Sequence, residues 1–192
     1  MCSSDLTFFA VATVVSGVVG VAGYLALAAV ASAAAGGAFV AAIGLLLLAT
    51  GLFMRYAEGR ETASGEAGRR SDPGLLDALL VGVLQGLAVL PGISRSGTTV
   101  SALLLRGHAG PDALRLSFVL SIPAAAGASL LVVLDDGIQG VGPGPALLAL
   151  VCSAVVGYLA VDALTRIVRR VAFWRVCVGF GGLAVVGGLL VI

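Results

Sequence analysis

The chain has 192 residues, of which 59% are hydrophobic and 11% are charged, and its formal net charge is +1. Soluble globular domains contain roughly 25% charged residues, so this composition excludes a chain surrounded by water and predicts an integral membrane protein. A net charge near zero provides no basic field for nucleic acid. The three cysteines lie far apart and show neither zinc-site nor disulfide spacing.

Five apolar segments are each long enough to predict a transmembrane helix, which needs about 20 residues. In chain order they are Thr7–Ala35, Gly37–Met54, Ala113–Leu134, Ala146–Thr165 and Phe173–Ile192. The first and the last also contain small residues at helical spacing, which predicts close helix packing in lipid. These residues are Ser16, Gly17, Gly20, Gly23, Gly179, Gly181 and Gly182.

The loops between these segments differ in their arginine content. Residues 55–70 and 166–175 contain four arginines each, residues 106–115 contain two, and residues 135–145 contain none. Arginine-rich loops tend to lie in the cytoplasm, which places the first three loops inside and the last one outside. The segment Pro73–Arg106 must then begin and end on the cytoplasmic side.

That segment has the wrong length for a simple crossing. Its 34 residues would form a helix of about 50 Å, which is too long for one span, whereas two spans need about 40 residues and a turn. The length therefore predicts a re-entrant hairpin with arms Leu75–Leu90 and Thr98–Arg106 and a tip at Pro91–Gly97. The alternative is a surface loop between two short helices.

The tip sequence PGISRSGTT has the residue types of an anion-binding site. Arg95 is the only charged residue between Asp77 and Arg106, and a charge at membrane depth indicates function by default. A guanidinium can donate two parallel hydrogen bonds to the oxygens of a phosphate. Hydroxyl donors and flexible glycines surround it, and they are Ser94, Ser96, Thr98, Thr99, Gly92 and Gly97. The alternative is a kinked helix from which Arg95 reaches the membrane interface.

Several nearby residues have less specific interpretations. Thr98 is expected to cap the second arm, where free helix amides favour an anion. Gln85 either lines the cavity or forms an interhelical hydrogen bond. Asp77 is expected at the interface, His108 in a loop far from the tip and not as a catalytic base, and Pro123 at a helix kink.

The run QGLAVLPGISRSGTT, which begins at Gln85, is followed by LLLRG and then by LSFVLSIPAAAGA. These motifs resemble the second half of the undecaprenyl-diphosphate phosphatases, the bacitracin-resistance family. The resemblance implies hydrolysis of undecaprenyl diphosphate to the monophosphate and inorganic phosphate, which recycles the lipid carrier of cell-wall polymers at the plasma membrane. It implies catalytic roles for Ser94 and Arg95. It implies substrate binding by Gly92, Ser96, Gly97, Thr98, Thr99 and Gln85.

The family also implies an architecture of inverted repeats. The expected fold is all-α and polytopic, with about five transmembrane helices and one re-entrant helical hairpin in a single membrane domain, residues 1–192. Residues 7–54 would be two spans of a first repeat and residues 55–73 a cytoplasmic loop. Residues 74–192 would be a second repeat, with its hairpin at residues 75–106.

One family feature has no counterpart in this sequence. The family's first motif contains acidic residues, then Pro-x-Ser-Ser-x-Gly and usually His, but residues 1–35 contain no Glu, His or Pro. General acid–base chemistry needs a group within hydrogen-bond reach, so a partner chain or a second copy would have to supply it. No cofactor or metal ligand is evident, and a divalent cation is an open alternative. A lipid-phosphate transporter (flippase) and an inactive truncated family member are the other hypotheses.

Overall fold

The computed structural model of the protein describes residues 3–31, 36–64, 70, 72–136, 142–168 and 173–191. Seven helices occupy these ranges, and they are α1 (Ser3–Ala31), α2 (Gly37–Ser64), α3 (Leu75–Leu87), α4 (Arg95–Leu105), α5 (Gly110–Asp136), α6 (Pro143–Val168) and α7 (Phe173–Leu190). The chain forms two compact units, one of Met1–Ala125 with Trp174–Ile192 and the other of Ala126–Phe173. The predicted division into two repeats stays a prediction.

Four helices are long and apolar enough to cross a membrane. The apolar stretches are Asp5–Leu27 in α1, Gly37–Arg60 in α2, Gly110–Leu130 in α5 and Phe173–Leu190 in α7. A shorter apolar stretch, Gly144–Ala160, lies in α6. Helices satisfy every backbone group internally, which is what lipid requires. The prediction of an all-α, multi-pass membrane protein is confirmed.

Helix α2 is longer than the composition predicted. It continues to Ser64 and so includes the first ten residues of the segment expected to be a loop. Arg60 supports this extension, because its Nη2 donates to the Tyr56 hydroxyl at 2.7 Å, one turn earlier. Local contacts of this kind stabilise the end of a helix without any apolar stripe.

Glycines set the distance between α1 and α3. A Cβ at Gly82 would lie 2.8 Å from the Cβ of Val15, and one at Gly86 would lie 2.6 Å from the Cβ of Val19. Both contacts advance in the same direction along the two helices, so α1 and α3 run parallel. The core between them and α2, α4 and α5 consists of Phe8, Ala12, Ala57, Ala78, Val81, Ala102, Leu103, Leu104, Ala113 and Leu120.

Helices α2 and α7 pack against each other in antiparallel directions. A Cβ at Gly44 would lie 2.8 Å from the Gly181 carbonyl oxygen, and one at Gly188 would lie 2.6 Å from the Gly37 oxygen. Numbers rise along α2 while they fall along α7, so this pair is antiparallel. The close approach confirms the packing role predicted for Gly181, because small residues let helices approach in lipid. Gly179 and Gly182 face open space instead.

We expect the substitution Gly181→Val to destabilise the α2–α7 pair. Its Cβ would lie 2.9 Å from the Gly44 oxygen and 2.9 Å from the Leu48 amide nitrogen, and backbone atoms cannot move aside as a side chain can. Overpacking of this kind costs about 1–3 kcal/mol. Thermal unfolding in detergent measures the loss. The matched control is Gly182→Val, which meets nothing within 4 Å, and an equal loss in both variants would contradict the packing account.

Helices α3 and α4 pack together as a helical hairpin, and its re-entrance into the membrane stays a prediction. They have 13 and 11 residues, or about 20 and 16 Å, whereas the hydrocarbon core is about 30 Å thick. Arg106, at the end of α4, donates a hydrogen bond to Asp77, near the start of α3. The beginning of the first arm and the end of the second arm therefore lie side by side. The turn between the helices, residues 88–94, lies at the other end.

The prediction that Thr98 caps the second arm is wrong, because the N-cap lies four residues earlier. Ser94 is the N-cap of α4, in an extended conformation with φ −75° and ψ 109°, and its Oγ accepts from the Gly97 amide at 3.3 Å. Serine is among the preferred N-cap residues, and it precedes Thr98 in the chain. Thr98 lies within the first turn, where its hydroxyl donates to the Ser94 carbonyl oxygen at 3.0 Å.

Candidate functional site

Both glycines of the tip pack against α2. Gly92 has a φ of +98°, which only glycine adopts readily, and a Cβ there would collide with the Ile43 carbonyl oxygen. A Cβ at Gly97 would lie 2.8 Å from the Met54 sulfur. Close approach to α2 therefore accounts for glycine at both positions, and it holds the tip at a fixed height along that helix.

Arg95 is the first residue of α4 and is half-buried. Its Nη1 donates to the Ser121 carbonyl oxygen of α5 at 3.2 Å. A guanidinium has five N–H donors, so this bond orients the group and leaves other donors for an anion. Within the described ranges, Arg95 forms no ion pair with a carboxylate.

Gln85 lies in α3, and its side chain links this helix to α1 and α5. It is 6% exposed, and its Nε2 donates to the Ser16 Oγ of α1 at 3.3 Å and to the Leu120 carbonyl oxygen of α5 at 3.4 Å. Of the two roles considered for it, the interhelical hydrogen bond is the one observed. Its role in substrate binding stays a prediction.

Helix α5 contributes backbone acceptors near Pro123 that the sequence interpretation missed. Pro123 lies inside α5, and a proline removes one ladder hydrogen bond and bends a helix. The carbonyl oxygens of Leu120 and Ser121, in the turn before it, accept from Gln85 and Arg95. Pro123 was the signal in the sequence, where it predicted a helix kink but no acceptor for Arg95 or Gln85.

The two threonines of the tip motif point into the protein. Thr98 is 6% exposed and Thr99 is fully buried. The Thr99 hydroxyl lies 2.7 Å from the Ser117 Oγ of α5 and also donates to the Arg95 carbonyl oxygen at 2.9 Å. Both hydroxyls are therefore engaged in fixing the start of α4, and direct substrate contact by them stays a prediction. Ser117 was not recognised from the sequence.

The groups that the tip presents outward are fewer than the motif suggests. Ser94 is half-buried and Ser96 is exposed. The amides of Arg95 and Ser96 open the helix and have no intrahelical acceptor. A guanidinium, two hydroxyls and two amides at one helix N-terminus are suited to an oxyanion.

A buried ionic network closes the base of the hairpin. Asp77 is 0% exposed and so lies inside the protein, whereas its expected position at the membrane interface stays a prediction. Its carboxylate accepts from the Gly74 amide at 2.8 Å and the Arg106 Nε at 2.5 Å, and its Oδ2 lies 3.2 Å from the His108 Nε2. A buried carboxylate requires such partners. His108 thus lies at the opposite end of the hairpin from Arg95, as expected.

Comparison with known proteins identifies relatives that match most of this sequence. The family model "Bacitracin resistance protein BacA" matches residues 3–184. A protein of Haloarcula marismortui named undecaprenyl-diphosphatase is 58% identical over 98% of this chain and 68% of its own length. Proteins of that name from Methanococcoides burtonii and Methanopyrus kandleri are 35% and 40% identical, over 94% and 92% of this chain.

The alignments leave part of each relative uncovered. This chain spans 68% of the Haloarcula protein and 64% of each of the other two. The matched region contains the hairpin, its tip and Pro123 of α5. The chain belongs to the bacitracin resistance protein BacA family.

Proposed function

We propose that this protein is an undecaprenyl-diphosphate phosphatase. It would hydrolyse the lipid diphosphate to the monophosphate and inorganic phosphate, recycle the lipid carrier for peptidoglycan and related cell-wall polymers, and give bacitracin resistance at the plasma membrane. The observation that carries this proposal is the position of Arg95, at the tip of the α3–α4 hairpin and at a helix N-terminus. The name undecaprenyl-diphosphatase of its relatives supports it.

Arg95 is the proposed clamp for the diphosphate. Its bond to the Ser121 oxygen fixes the guanidinium plane, and its other donors would bind phosphoryl oxygens. Phosphoryl transfer depends on positioning and on stabilisation of the charge on the transferred group. The amides of Arg95 and Ser96 would add donors at the helix N-terminus.

The serines would supply the remaining outward contacts. Ser94 Oγ accepts from the Gly97 amide, which leaves the hydroxyl proton for a phosphate oxygen because a serine has one donor. We assign it the catalytic position beside Arg95, and Ser96 a substrate contact. Thr98, Thr99 and Gln85 would hold these groups in place through their bonds to α4 and α5.

The exposed apolar face of α3 fits the lipid part of such a substrate. Leu76, Leu80 and Val83 are 60%, 42% and 40% exposed, and they lie on the arm that leads to the tip. A polyprenyl chain would lie along this face while its diphosphate reaches Arg95. The general base that hydrolysis needs would come from a second copy of this chain, and a divalent cation could assist it.

A lipid-phosphate transporter is the second candidate. Broken helices at membrane depth are typical of transporter binding sites, and the contacts of Arg95 within the described ranges include no carboxylate or histidine that would act as a base. A carrier would need the clamp and no base. The two functions differ in whether inorganic phosphate is released.

Phosphate release in detergent distinguishes these functions, because micelles have no compartments between which a lipid could be moved. We expect the purified protein to release phosphate from undecaprenyl diphosphate and none from undecaprenyl monophosphate. The colorimetric phosphate assay measures both. Binding of the diphosphate lipid without phosphate release, together with its movement across reconstituted vesicles, would favour the transporter.

A further inference from the structure

A cluster of arginines and aromatic rings lies on the surface of the α2–α7 pair. It consists of Arg55, Tyr56, Arg60, Trp174 and Arg175, and we call it the basic–aromatic cluster. The guanidinium carbons of Arg55 and Arg175 lie 4.7 and 5.4 Å from the centre of the Trp174 ring. All three arginines and Tyr56 are exposed.

Helix packing fixes this arrangement. A Cβ at Gly51 would lie 3.1 Å from the Trp174 carbonyl oxygen and 3.0 Å from the Cys177 Cβ, so α7 lies directly against α2 at this level. Arg55 follows Gly51 by one turn and therefore meets the Trp174 ring. One turn further, Arg60 stacks at 5.3 Å from the centre of the Tyr56 ring.

Two of the three arginines of the cluster, Arg55 and Arg175, have charges that no described carboxylate neutralises. Two guanidinium groups share one indole ring, and neither Arg55 nor Arg175 has an ion-pair partner among the residues that the structure describes. Like charges held this close repel each other. An anion that bridges them would relieve the repulsion, and it would use donors in the planar geometry that arginine offers to phosphate.

The position of the cluster selects the kind of anion. Trp174 is the second residue of the apolar stretch of α7, and Arg60 is the last residue of that of α2, so both lie where a membrane-crossing pair meets the headgroup layer. Trp, Tyr and Arg are enriched at that level, with the rings in the interface and the cations at the phosphates. A groove of about 610 Å³ runs along α2 here, lined by Leu52, Arg55, Tyr56, Gly59 and Arg60.

We propose that the basic–aromatic cluster binds the headgroup phosphate of an anionic phospholipid. Arg55 and Arg175 hold the phosphate beside Trp174, Arg60 extends the basic surface over Tyr56, and Leu52 contacts the first acyl carbons. The site takes a bilayer phospholipid and is separate from the diphosphate site at Arg95. It holds the α2–α7 pair at a fixed height, and it does not depend on the phosphatase reaction.

Trp174 is the only tryptophan of the chain, so its fluorescence reports on this site alone. The protein is placed in phosphatidylcholine nanodiscs that contain either brominated phosphatidylglycerol or brominated phosphatidylcholine at equal mole fraction. We expect the anionic lipid to quench Trp174 more strongly, because each arginine at the surface enriches it by about fivefold. Raising the salt concentration should bring the two quenching curves together. Equal quenching at low salt would overturn the proposal.

Substitutions test whether Arg55 and Arg175 are the residues that bind the anionic lipid. Arg55→Gln with Arg175→Gln should remove the preference for the anionic lipid, whereas Arg115→Gln, an exposed arginine of α5 outside the cluster, should leave it unchanged. Loss in the Arg115 variant, or an unchanged preference in the double variant, would contradict the assignment. A saturable change of Trp174 emission on adding inorganic phosphate to discs of phosphatidylcholine alone would assign the site to soluble phosphate instead and overturn the lipid proposal.

Discussion

The substitution Arg95→Ala should abolish measurable binding of a non-hydrolysable diphosphate lipid analogue while the protein still inserts into membranes. Removing one partner of a desolvated, hydrogen-bonded charge pair costs about 2–5 kcal/mol, which corresponds to roughly a 30-fold or greater rise in Kd. The folded protein loses only the bond to the Ser121 carbonyl oxygen. Titration of the analogue in detergent measures the Kd, and membrane extraction measures insertion.

Two further variants separate the clamp from general charge effects. Arg95→Lys keeps the cation but loses the planar fork, so its Kd should lie between those of the wild type and the alanine variant. Arg115→Ala removes an exposed arginine of α5 and should bind as the wild type does. An unchanged Kd in Arg95→Ala would show that the tip does not hold the diphosphate.

The substitution Asp77→Ala should destabilise the protein more than any single change at the tip. The carboxylate is fully buried and accepts from the Gly74 amide, Arg106 and His108. Breaking such a network by removing one partner costs about 3–5 kcal/mol. Because the network joins the two ends of the hairpin, α3 and α4 should separate first. Thermal unfolding of the purified protein in detergent measures the loss.

Asp112 provides the control for this prediction. It is an exposed acidic residue in the first turn of α5, where a carboxylate contributes about 0.3–1 kcal/mol through the helix dipole. Asp112→Ala should therefore change the unfolding temperature only slightly. Arg106→Gln should also destabilise the protein, because it leaves the buried Asp77 carboxylate without its cationic partner. Equal unfolding temperatures for all three variants would contradict the role of the network.

The membrane spans and the hairpin could be predicted because lipid restricts the chain so strongly. Apolar length identifies a span, and the arginine counts leave residues 73–106 no arrangement except a return to the same side. The Asp77 network could not be predicted in the same way. Asp77 and Arg106 are 29 residues apart, and no local pattern shows that the ends of two short helices will meet.

The residues of the candidate site likewise include some that the sequence could identify and others that it could not. Arg95 could be identified from the sequence, because a lone charge in an apolar segment is conspicuous. Its orienting partner Ser121, the Thr99 partner Ser117 and the Gln85 partner Ser16 belong to other helices, so only the fold brings them together. The inward hydroxyls of Thr98 and Thr99 follow a local rule, since threonines in helices bond to the carbonyl one turn earlier.

The central claim is that Arg95 holds a lipid diphosphate for hydrolysis. The most direct measurement compares phosphate release from undecaprenyl diphosphate by the wild type and by Arg95→Ala in the same detergent. Removal of one group that stabilises the transition state costs about 100-fold to 1000-fold in rate, so we expect release by the wild type and a loss of at least about 100-fold in the variant. Equal rates for the two proteins would contradict the claim.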